Sequence, residues 1–219
     1  MTAQLPDGAS AGWTDFGRWI ARYPYALPFR VRVHGREHVP LTGAVVVVAN
    51  HSSMADGPLL FGALPRRVVF LIKQEMFAGP LGWFLRKIGQ LSVRRGVPDR
   101  APLLAALRVL RAGGVVGVFP EGTRGSGDVA DAQHGAAWLA RSSDAVVLPV
   151  ACRGTLRPEG ARRRFLPVVD VLVGEPFEVP PGKGRQALDV ATEQVRDRLA
   201  TLVAELDDFR DRSVSGEAK

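Results

Sequence analysis

Two polar side chains with catalytic potential follow a run of valines early in the chain. In the stretch VVVVANHSSMADGPLLF, residues 45–61, His51 and Asp56 are separated by four residues. Val45–Val48 predict a buried strand, and the Asp-Gly-Pro that ends the motif predicts a helix starting near Pro58. In a turn between the two elements, Asp56 can accept a hydrogen bond from one imidazole nitrogen of His51. The other nitrogen is then free to act as a base.

A purely structural interpretation also fits this pair. Asp56 could cap the helix that begins near Pro58, and His51 could be an incidental loop residue. Within a regular helix, two residues at this spacing point about 140° apart and would not meet. A catalytic role therefore depends on the turn and on a second motif.

The second motif is VVGVFPEGTRGSG, residues 115–127, where another valine-rich strand runs into a polar turn. Gly122 permits a backbone turn that other residues resist, and the planar fork of Arg124 suits a phosphate. An ordinary strand-to-helix turn with a surface arginine is the alternative.

Strand and helix patterns alternate along the rest of the chain. The strands are expected at Val31–Val33, Val45–Ala49, Val68–Ile72, Leu91–Val93, Val115–Phe119, Val146–Ala151 and Val168–Val173. The helices are expected at Pro58–Leu64, Gly79–Ile88, Pro102–Ala112, Gly135–Arg141 and Arg185–Leu206. Nearly continuous valine runs flanked by helices predict a single α/β domain, with a mainly parallel central sheet flanked by helices. We expect this domain to span residues 30–209, followed by a flexible tail at 210–219.

The N-terminal segment, residues 1–29, contains a short amphipathic helix by its pattern. Its aromatic and apolar side chains fall close to helical spacing at Trp13, Phe16, Trp19, Ile20 and Tyr23. Such a helix can lie in a membrane interface with its aromatic rings at headgroup level. It can equally pack against the domain, and the sequence leaves both possibilities open.

Charge and composition narrow the possible partners. The net charge is +7. The stretch from Phe61 to Arg111 contains ten basic residues and only two acidic ones, Glu75 and Asp99. This stretch would attract anionic lipid or phosphate esters. Nucleic acid is not an expected partner, because the aromatic residues and the basic run lie in different segments. No run reaches the roughly 18 uncharged apolar residues of a membrane-spanning helix.

Several other chemistries are not indicated. The sequence has no GxxxxGK[ST] phosphate loop and no GxSxG nucleophile turn. One cysteine and four histidines do not form the ligand pattern of a structural zinc site, so no metal is expected. Cys152 follows a buried strand and is expected to be a core thiol. A single cysteine and the lack of a secretory signal pattern favour the cytosol.

Together, the two motifs resemble those of the glycerolipid acyltransferase superfamily. NHSSMADG is followed about seventy residues later by FPEGTR, and the combination is most similar to that of the bacterial 1-acyl-glycerol-3-phosphate (lysophosphatidic acid) acyltransferases. GQLSVRR at 89–95 is similar to the second conserved block of the family, and VVLPVACRGT at 146–155 to the fourth. The resemblance covers roughly residues 30–175.

The resemblance implies a mechanism and a set of site residues. His51 would be the general base on the free hydroxyl of a lysophospholipid, and Asp56 would orient it. The hydroxyl would attack the thioester of acyl-CoA or acyl carrier protein directly, with no metal or bound cofactor, and Ser52 and Ser53 would be turn residues. The glycerol phosphate of the acceptor would be held by Lys73, Arg95, Glu121, Gly122, Thr123 and Arg124. Arg94 is an alternative to Arg95, because the acidic residue usual before this arginine is absent here.

The acceptor and the cellular location stay open to alternatives. Other lyso-lipids, including lyso-ornithine lipid and glycolipids, would suit the same chemistry. A non-catalytic basic protein bound to a membrane surface is a third possibility, although it would not need an oriented base. The resemblance implies a cytoplasmic protein, peripheral on the inner face of the bacterial cell membrane and in contact with anionic lipid.

Overall fold

The computed structural model describes residues 5–94, 100–120, 128–156, 166–182 and 184–216, without the side chains of 128–133 and 214–216. Within these ranges the strands are β1 (Arg30–His34), β2 (Val45–Ala49), β3 (Val68–Lys73), β4 (Leu91–Val93), β5 (Val115–Val118), β6 (Val146–Arg153) and β7 (Val168–Val173). The α-helices are α1 (Ala11–Arg22), α2 (Asp56–Ala63), α3 (Gly79–Lys87), α4 (Ala101–Arg111), α5 (Asp128–Ser143) and α6 (Gly184–Gly216). Short 3-10 helices occur at Arg36–His38 and Gln74–Phe77.

The strands form one sheet in the order β1-β7-β6-β2-β5-β3-β4. From β6 to β4 every neighbouring pair is parallel, whereas β6 and β7 are antiparallel and β7 pairs parallel with β1. Five strands therefore share one direction, and β1 and β7 run the opposite way. The predicted α/β class with a mainly parallel sheet is confirmed.

Strand β2 lies at the centre of the sheet because its side chains are apolar on both faces. All five of its residues are buried. Val45, Val47 and Ala49 pack in the core cluster that includes residues of α2, whereas Val46 and Val48 pack in the cluster with residues of α4 and α5. Complete burial of one such valine contributes roughly 1.5–3 kcal/mol. The strand is thus a rigid support for whatever follows it.

Helix α1 packs through small residues and leaves its aromatic residues outside. Thr14, Gly17 and Ala21 are its buried positions. A Cβ on Gly17 would lie 2.9 Å from Ile88 Cγ2, so this helix face approaches its neighbour too closely for a larger residue. The helix therefore packs on the domain while its aromatic face stays available.

The C-terminal helix is longer than the sequence indicated. We expected a helix ending at Leu206 and a flexible tail at 210–219, whereas α6 continues to Gly216. The physical reason is a tertiary contact: Arg210 donates to the buried carboxylate of Asp170 on β7. An ion pair of this kind orders a segment whose local sequence is polar.

Candidate active site

The turns that follow the parallel strands meet at one edge of the sheet. Strands β2, β5 and β6 are neighbours and parallel, so their carboxyl ends lie side by side. The residues immediately beyond these ends include His51, Phe119 and Thr155. In open α/β sheets this edge is where ligands usually bind.

Asn50 fixes the beginning of the turn after β2. Its side chain is buried, its Nδ2 donates to the Cys152 carbonyl at 2.9 Å, and its Oδ1 accepts from the Cys152 amide at 2.7 Å. This reciprocal pair ties the end of β2 to β6 where the strand ladder stops. The backbone that carries His51 is therefore held relative to the sheet.

The structure brings His51 and Asp56 together. His51 Nδ1 lies 3.3 Å from Asp56 Oδ2, and Asp56 is the first residue of α2, two residues before Pro58. Among the described residues, Nδ1 has no partner aligned well enough for a hydrogen bond. The short separation matters more than the alignment, because a small rotation of the imidazole would align the pair. Catalytic hydrogen bonds often tighten only when substrate is bound.

The carboxylate of Asp56 is completely buried and accepts hydrogen bonds from several donors. Its Oδ2 accepts from the backbone amides of Ser52 and Ser53, each at 2.7 Å. Its Oδ1 accepts from the Thr155 hydroxyl at 2.5 Å and faces Cys152 Sγ at 3.6 Å. Ser52 and Ser53 thus contribute backbone amides to the site, as turn residues do.

These donors determine the charge of Asp56. Burial alone would raise the pKa of its carboxyl, but His51, Thr155 and the amides of Ser53 and Ser52 outweigh burial and leave that pKa below its ordinary value. Asp56 is therefore ionised at neutral pH. An ionised Asp56 favours a proton on Nδ1 of His51, which leaves Nε2 unprotonated and able to accept one.

Cys152 is not suited to act as a nucleophile. It is fully buried, and burial raises the pKa of its thiol, with the negative charge of Asp56 adding to that effect. A thiol that resists ionisation is a poor nucleophile. Its place in the interior agrees with the expected core thiol, but its contact with Asp56 was not foreseen.

A stack of aromatic rings supports the other side of His51. The imidazole stacks on Phe119 with ring centroids 4.5 Å apart, and Phe119 stacks on Phe70 at 5.3 Å. Gly117, which pairs with Phe70 across β5 and β3, leaves the space that the Phe70 ring occupies. Sequence reasoning missed Phe119 as a site residue, although it opens the FPEGTR motif.

Two of the candidate anion-binding residues lie on the same edge of the sheet. Lys73 is the exposed last residue of β3 and is paired with Val93 at the end of β4. Arg94 follows directly, and its Nε donates to Gln74 Oε1 at 2.6 Å. The other predicted binding residues lie outside the described residues: Arg95, Glu121, Gly122, Thr123 and Arg124.

Neither a metal cluster nor a membrane-spanning helix is seen in the part of the chain that the structure describes. No group of three His, Cys, Asp or Glu side chains there could hold a metal ion. None of the helices described combines the length and the apolar character needed to cross a bilayer.

The fold and the site define a class of protein. A histidine at the carboxyl edge of a parallel sheet, held against a buried ionised carboxylate, has the geometry with which a general base can activate a hydroxyl or water. A family model described as acyltransferase matches residues 30–153, more than half of the chain. The chain belongs to this acyltransferase family, and the resemblance inferred from the motifs is confirmed.

Individual relatives agree with the family match. The chain is 31% identical over 185 residues to the 1-acyl-sn-glycerol-3-phosphate acyltransferase of Bacillus subtilis, covering 81% of this chain and 90% of that protein. It is 40% identical over 119 residues to the lyso-ornithine lipid O-acyltransferase of Pseudomonas aeruginosa, covering 53% of this chain and 44% of the relative.

A solved structure extends the agreement to the fold. The crystal structure of the 1-acyl-sn-glycerophosphate (LPA) acyltransferase PlsC from Thermotoga maritima superposes with a TM-score of 0.66 at 29% sequence identity. The match covers 90% of this chain and 78% of that one.

Proposed function

We propose that this protein transfers a fatty acyl group from a thioester donor to the free hydroxyl of 1-acyl-glycerol-3-phosphate, which forms phosphatidic acid. The observation that carries the proposal is the imidazole of His51 held 3.3 Å from the buried carboxylate of Asp56. The similarity to the B. subtilis enzyme over 90% of its length supports this acceptor.

The reaction follows from the position of the base. Nε2 of His51 takes the proton of the acceptor hydroxyl as its oxygen attacks the thioester carbonyl carbon. The carbon–sulfur bond then breaks, and the departing thiolate takes the proton back from the imidazolium. A thioester is already an activated acyl donor, so no acyl-enzyme intermediate is needed. The donor is acyl-CoA or acyl carrier protein, used as a co-substrate.

General-base assistance alone does not account for an enzymatic rate. It contributes roughly 10²–10⁴-fold, and substrate positioning and oxyanion stabilisation supply the rest. Backbone amides in the first turn of α2 are candidate donors to the oxyanion, because a helix N-terminus favours negative charge. Asp56 also lies in this turn, and its carboxylate oxygen Oδ2 is directed toward His51.

The acceptor phosphate would be bound by cations and backbone groups at the same edge of the sheet. Exposed Lys73 and Arg94 support this assignment, because the carboxyl ends of β3 and β4 bring them together. The remaining candidates are Arg95, Glu121, Gly122, Thr123 and Arg124. An arginine fork suits a phosphate in geometry and charge.

A thiol-release assay tests the proposal. Purified protein, acyl-CoA and lysophosphatidic acid should release free CoA, and His51→Ala should lower that rate by about 10²–10⁴-fold. His134→Ala is the matched control, because His134 lies on α5 beside Asp189 of α6 and should leave the rate unchanged. Full activity in His51→Ala would overturn the mechanism.

A second acceptor is favoured by one specific observation, the 40% identity to a lyso-ornithine lipid O-acyltransferase. Lysophosphatidic acid carries a phosphate and lyso-ornithine lipid does not. Loss of a cation near the site, such as Lys73, should therefore affect only the first acceptor. If lysophosphatidic acid is the acceptor, Lys73→Gln should raise its KM severalfold. Faster turnover of lyso-ornithine lipid, with no effect of Lys73→Gln, would assign the second acceptor instead.

We also propose that the enzyme reaches its lipid through the aromatic face of α1. Trp13, Phe16, Trp19 and Tyr23 are all exposed, each by more than a third of its surface. Trp13 also contacts exposed Trp83 of α3, with ring centroids 5.2 Å apart, so α3 extends the same face. Tryptophan and tyrosine favour the membrane–water interface.

The chain that follows this aromatic face runs near Asp56. Helix α1 packs on α2, whose first residue is Asp56. Beyond α1, burial raises the pKa of the Tyr25 phenol, and the negative charge of Asp56 adds to this effect. The chain thus passes from the aromatic face to the neighbourhood of the carboxylate. A protein bound by this face would be peripheral, and we place it on the inner face of the cell membrane.

Vesicle binding tests the membrane contact. Trp19→Ser combined with Trp83→Ser should weaken sedimentation with anionic phospholipid vesicles about tenfold or more, because about 1.4 kcal/mol of lost binding gives that factor. Leu41→Ser is the control, since Leu41 is exposed outside α1 and α3. Equal binding by all three proteins would contradict the proposed surface.

A further inference from the structure

We propose that Thr155 is a positioning residue for acyl transfer, because its hydroxyl holds one oxygen of Asp56 so that the other oxygen faces His51. The inference rests on the function proposed above. Thr155 follows β6, whereas His51 and Asp56 come from the connection after β2. The contact therefore joins two separate turns at the carboxyl edge of the sheet.

The two oxygens of Asp56 have different partners. Oδ2 lies 3.3 Å from His51 Nδ1 and also accepts two backbone amides of the turn. Oδ1 points the other way, toward the end of β6, and accepts from Thr155 Oγ1 at 2.5 Å. A carboxylate has a broad, two-fold torsion about its last bond, so fixing Oδ1 fixes the direction of Oδ2 as well.

Thr155 is the stronger of the two described donors to Oδ1. The other is Cys152, whose thiol is a weak donor at 3.6 Å. A hydroxyl bound to an ionised acceptor makes a short, charge-assisted bond, and 2.5 Å is at the short end of that range. Removal of the Thr155 hydroxyl would leave a fully buried oxygen with only the thiol.

The backbone before Thr155 is shaped by a close approach to another strand. Gly154 has φ +96°, and a Cβ on it would lie 2.1 Å from the Val168 carbonyl oxygen of β7. Only glycine fits this combination of conformation and space. The turn that presents Thr155 to Asp56 is thus defined by the sheet and not by the Thr155–Asp56 contact itself.

The consequence for catalysis concerns orientation, not substrate affinity. Without the hydroxyl, the amides of Ser52 and Ser53 still hold Oδ2, but Oδ1 keeps only the weak thiol donor. The carboxylate then turns over a wider range, and the contact that keeps the proton on Nδ1 of His51 is weakened. In part of the population, His51 would then carry its proton on Nε2, and this nitrogen could not act as the base. The number of competent molecules falls, while the groups that bind donor and acceptor are unchanged.

Two substitutions and two readouts test the proposal. Thr155→Val removes the hydroxyl and keeps the shape, and it should lower kcat about tenfold or more with KM within twofold. Thr155→Ser keeps the hydroxyl and should retain most of the rate. Nitrogen-15 spectra of the histidines should show His51 mainly as the Nδ1-protonated tautomer in the wild type and in Thr155→Ser, and as a mixture in Thr155→Val. Thr201→Val, on the exposed side of α6, is the matched control.

The outcomes separate this inference from the proposed function. Wild-type kcat and an unchanged tautomer in Thr155→Val would overturn it, as would equal losses in the Val and Ser variants. If Thr155→Val does not fold, Thr155→Ala, which adds no bulk at this half-buried position, decides by the same criteria. The tautomer measurement needs no substrate. A wild type that acylates no lyso-lipid would therefore refute the function, while the spectra still decide the role of Thr155.

Discussion

At the scale of single residues, the site depends on one buried negative charge. Asp56 is inaccessible to solvent and still has a lowered carboxyl pKa, because the nearby imidazole of His51 and the hydrogen bonds from Thr155, Ser53 and Ser52 together outweigh the cost of burial. The sequence predicted that His51 and Asp56 could meet in a turn. It could not predict Thr155 or Cys152 as partners, since about a hundred residues separate them from Asp56 and only the β2–β6 pairing brings them together.

Substitution of Asp56 by Asn removes the negative charge of the side chain while keeping its size and shape, so it should show what the charge contributes to catalysis. We expect kcat to fall by at least about a hundredfold, because the imidazolium loses its counter-charge and the tautomer loses its orientation. The thiol-release assay measures this effect. Asp15→Asn is a control, because that carboxylate pairs with Arg67 on the surface.

The same variant should change how stability depends on pH. The pKa of Asp56 is lowered in the folded protein from an ordinary value of 3.8. Its contribution to stability is therefore fully present above pH 3.8 and is lost as the pH falls toward the folded value. Urea unfolding should show the wild type losing its advantage over Asp56→Asn below about pH 4. A constant difference between pH 7 and pH 3 would contradict this.

At the scale of secondary-structure elements, the sheet aligns the aromatic rings that stack on the proposed base, His51. Gly117 on β5 makes room for Phe70 on β3, Phe70 stacks on Phe119, and Phe119 stacks on His51. The valine runs predicted all seven strands close to their observed bounds, because buried parallel strands read as continuous apolar segments. The reversed direction of β1 and β7 was not predictable, since it depends on pairing between distant segments.

Gly117→Ala should disturb this stack from a position outside the site. Its Cβ would lie 2.3 Å from Phe70 Cε1, so the ring must move and carry Phe119 with it. We expect a loss of about 1–3 kcal/mol in unfolding free energy together with a lower kcat. Gly135→Ala is the control: its Cβ would meet nothing closer than 3.9 Å, and alanine suits a helix better than glycine. An unchanged kcat in Gly117→Ala would show that the aromatic stack does not support His51.

At the scale of the whole molecule, the C-terminal helix α6 is joined by ion pairs to β6 and β7, and the β6 pair lies at the edge of the sheet that carries the site. Arg153 on β6 pairs with Asp207 of α6 at 2.7 Å, and Arg210 of α6 pairs with Asp170 of β7. The sequence predicted a helix ending at Leu206 and a tail over residues 210–219, because the ends of a chain are often poorly ordered. Ion pairs with distant strands were invisible to that reasoning.

Arg210→Ala should show how much this docking contributes. Asp170 is fully buried and keeps Arg32 as a partner at 2.7 Å. We therefore expect a moderate loss of about 1–3 kcal/mol in unfolding free energy, measured by urea denaturation. Arg212 is an exposed residue two positions further along α6, and Arg212→Ala should change the unfolding free energy by less than about 0.5 kcal/mol. Equal effects of both substitutions would argue against a specific role for the pair.

Helix α1 divides its surface between two tasks. The buried residues of the helix are Thr14, Gly17 and Ala21, whereas Phe16, Trp19 and the following Tyr23 are about half exposed. Trp13 also touches Phe84, which packs on the core, whereas Phe16 and Trp19 contact other exposed rings. Substitution of Phe16 or Trp19 should therefore cost little folding free energy. Mutation could therefore adapt the outer face to bilayers of different composition while the catalytic machinery beneath it stays the same.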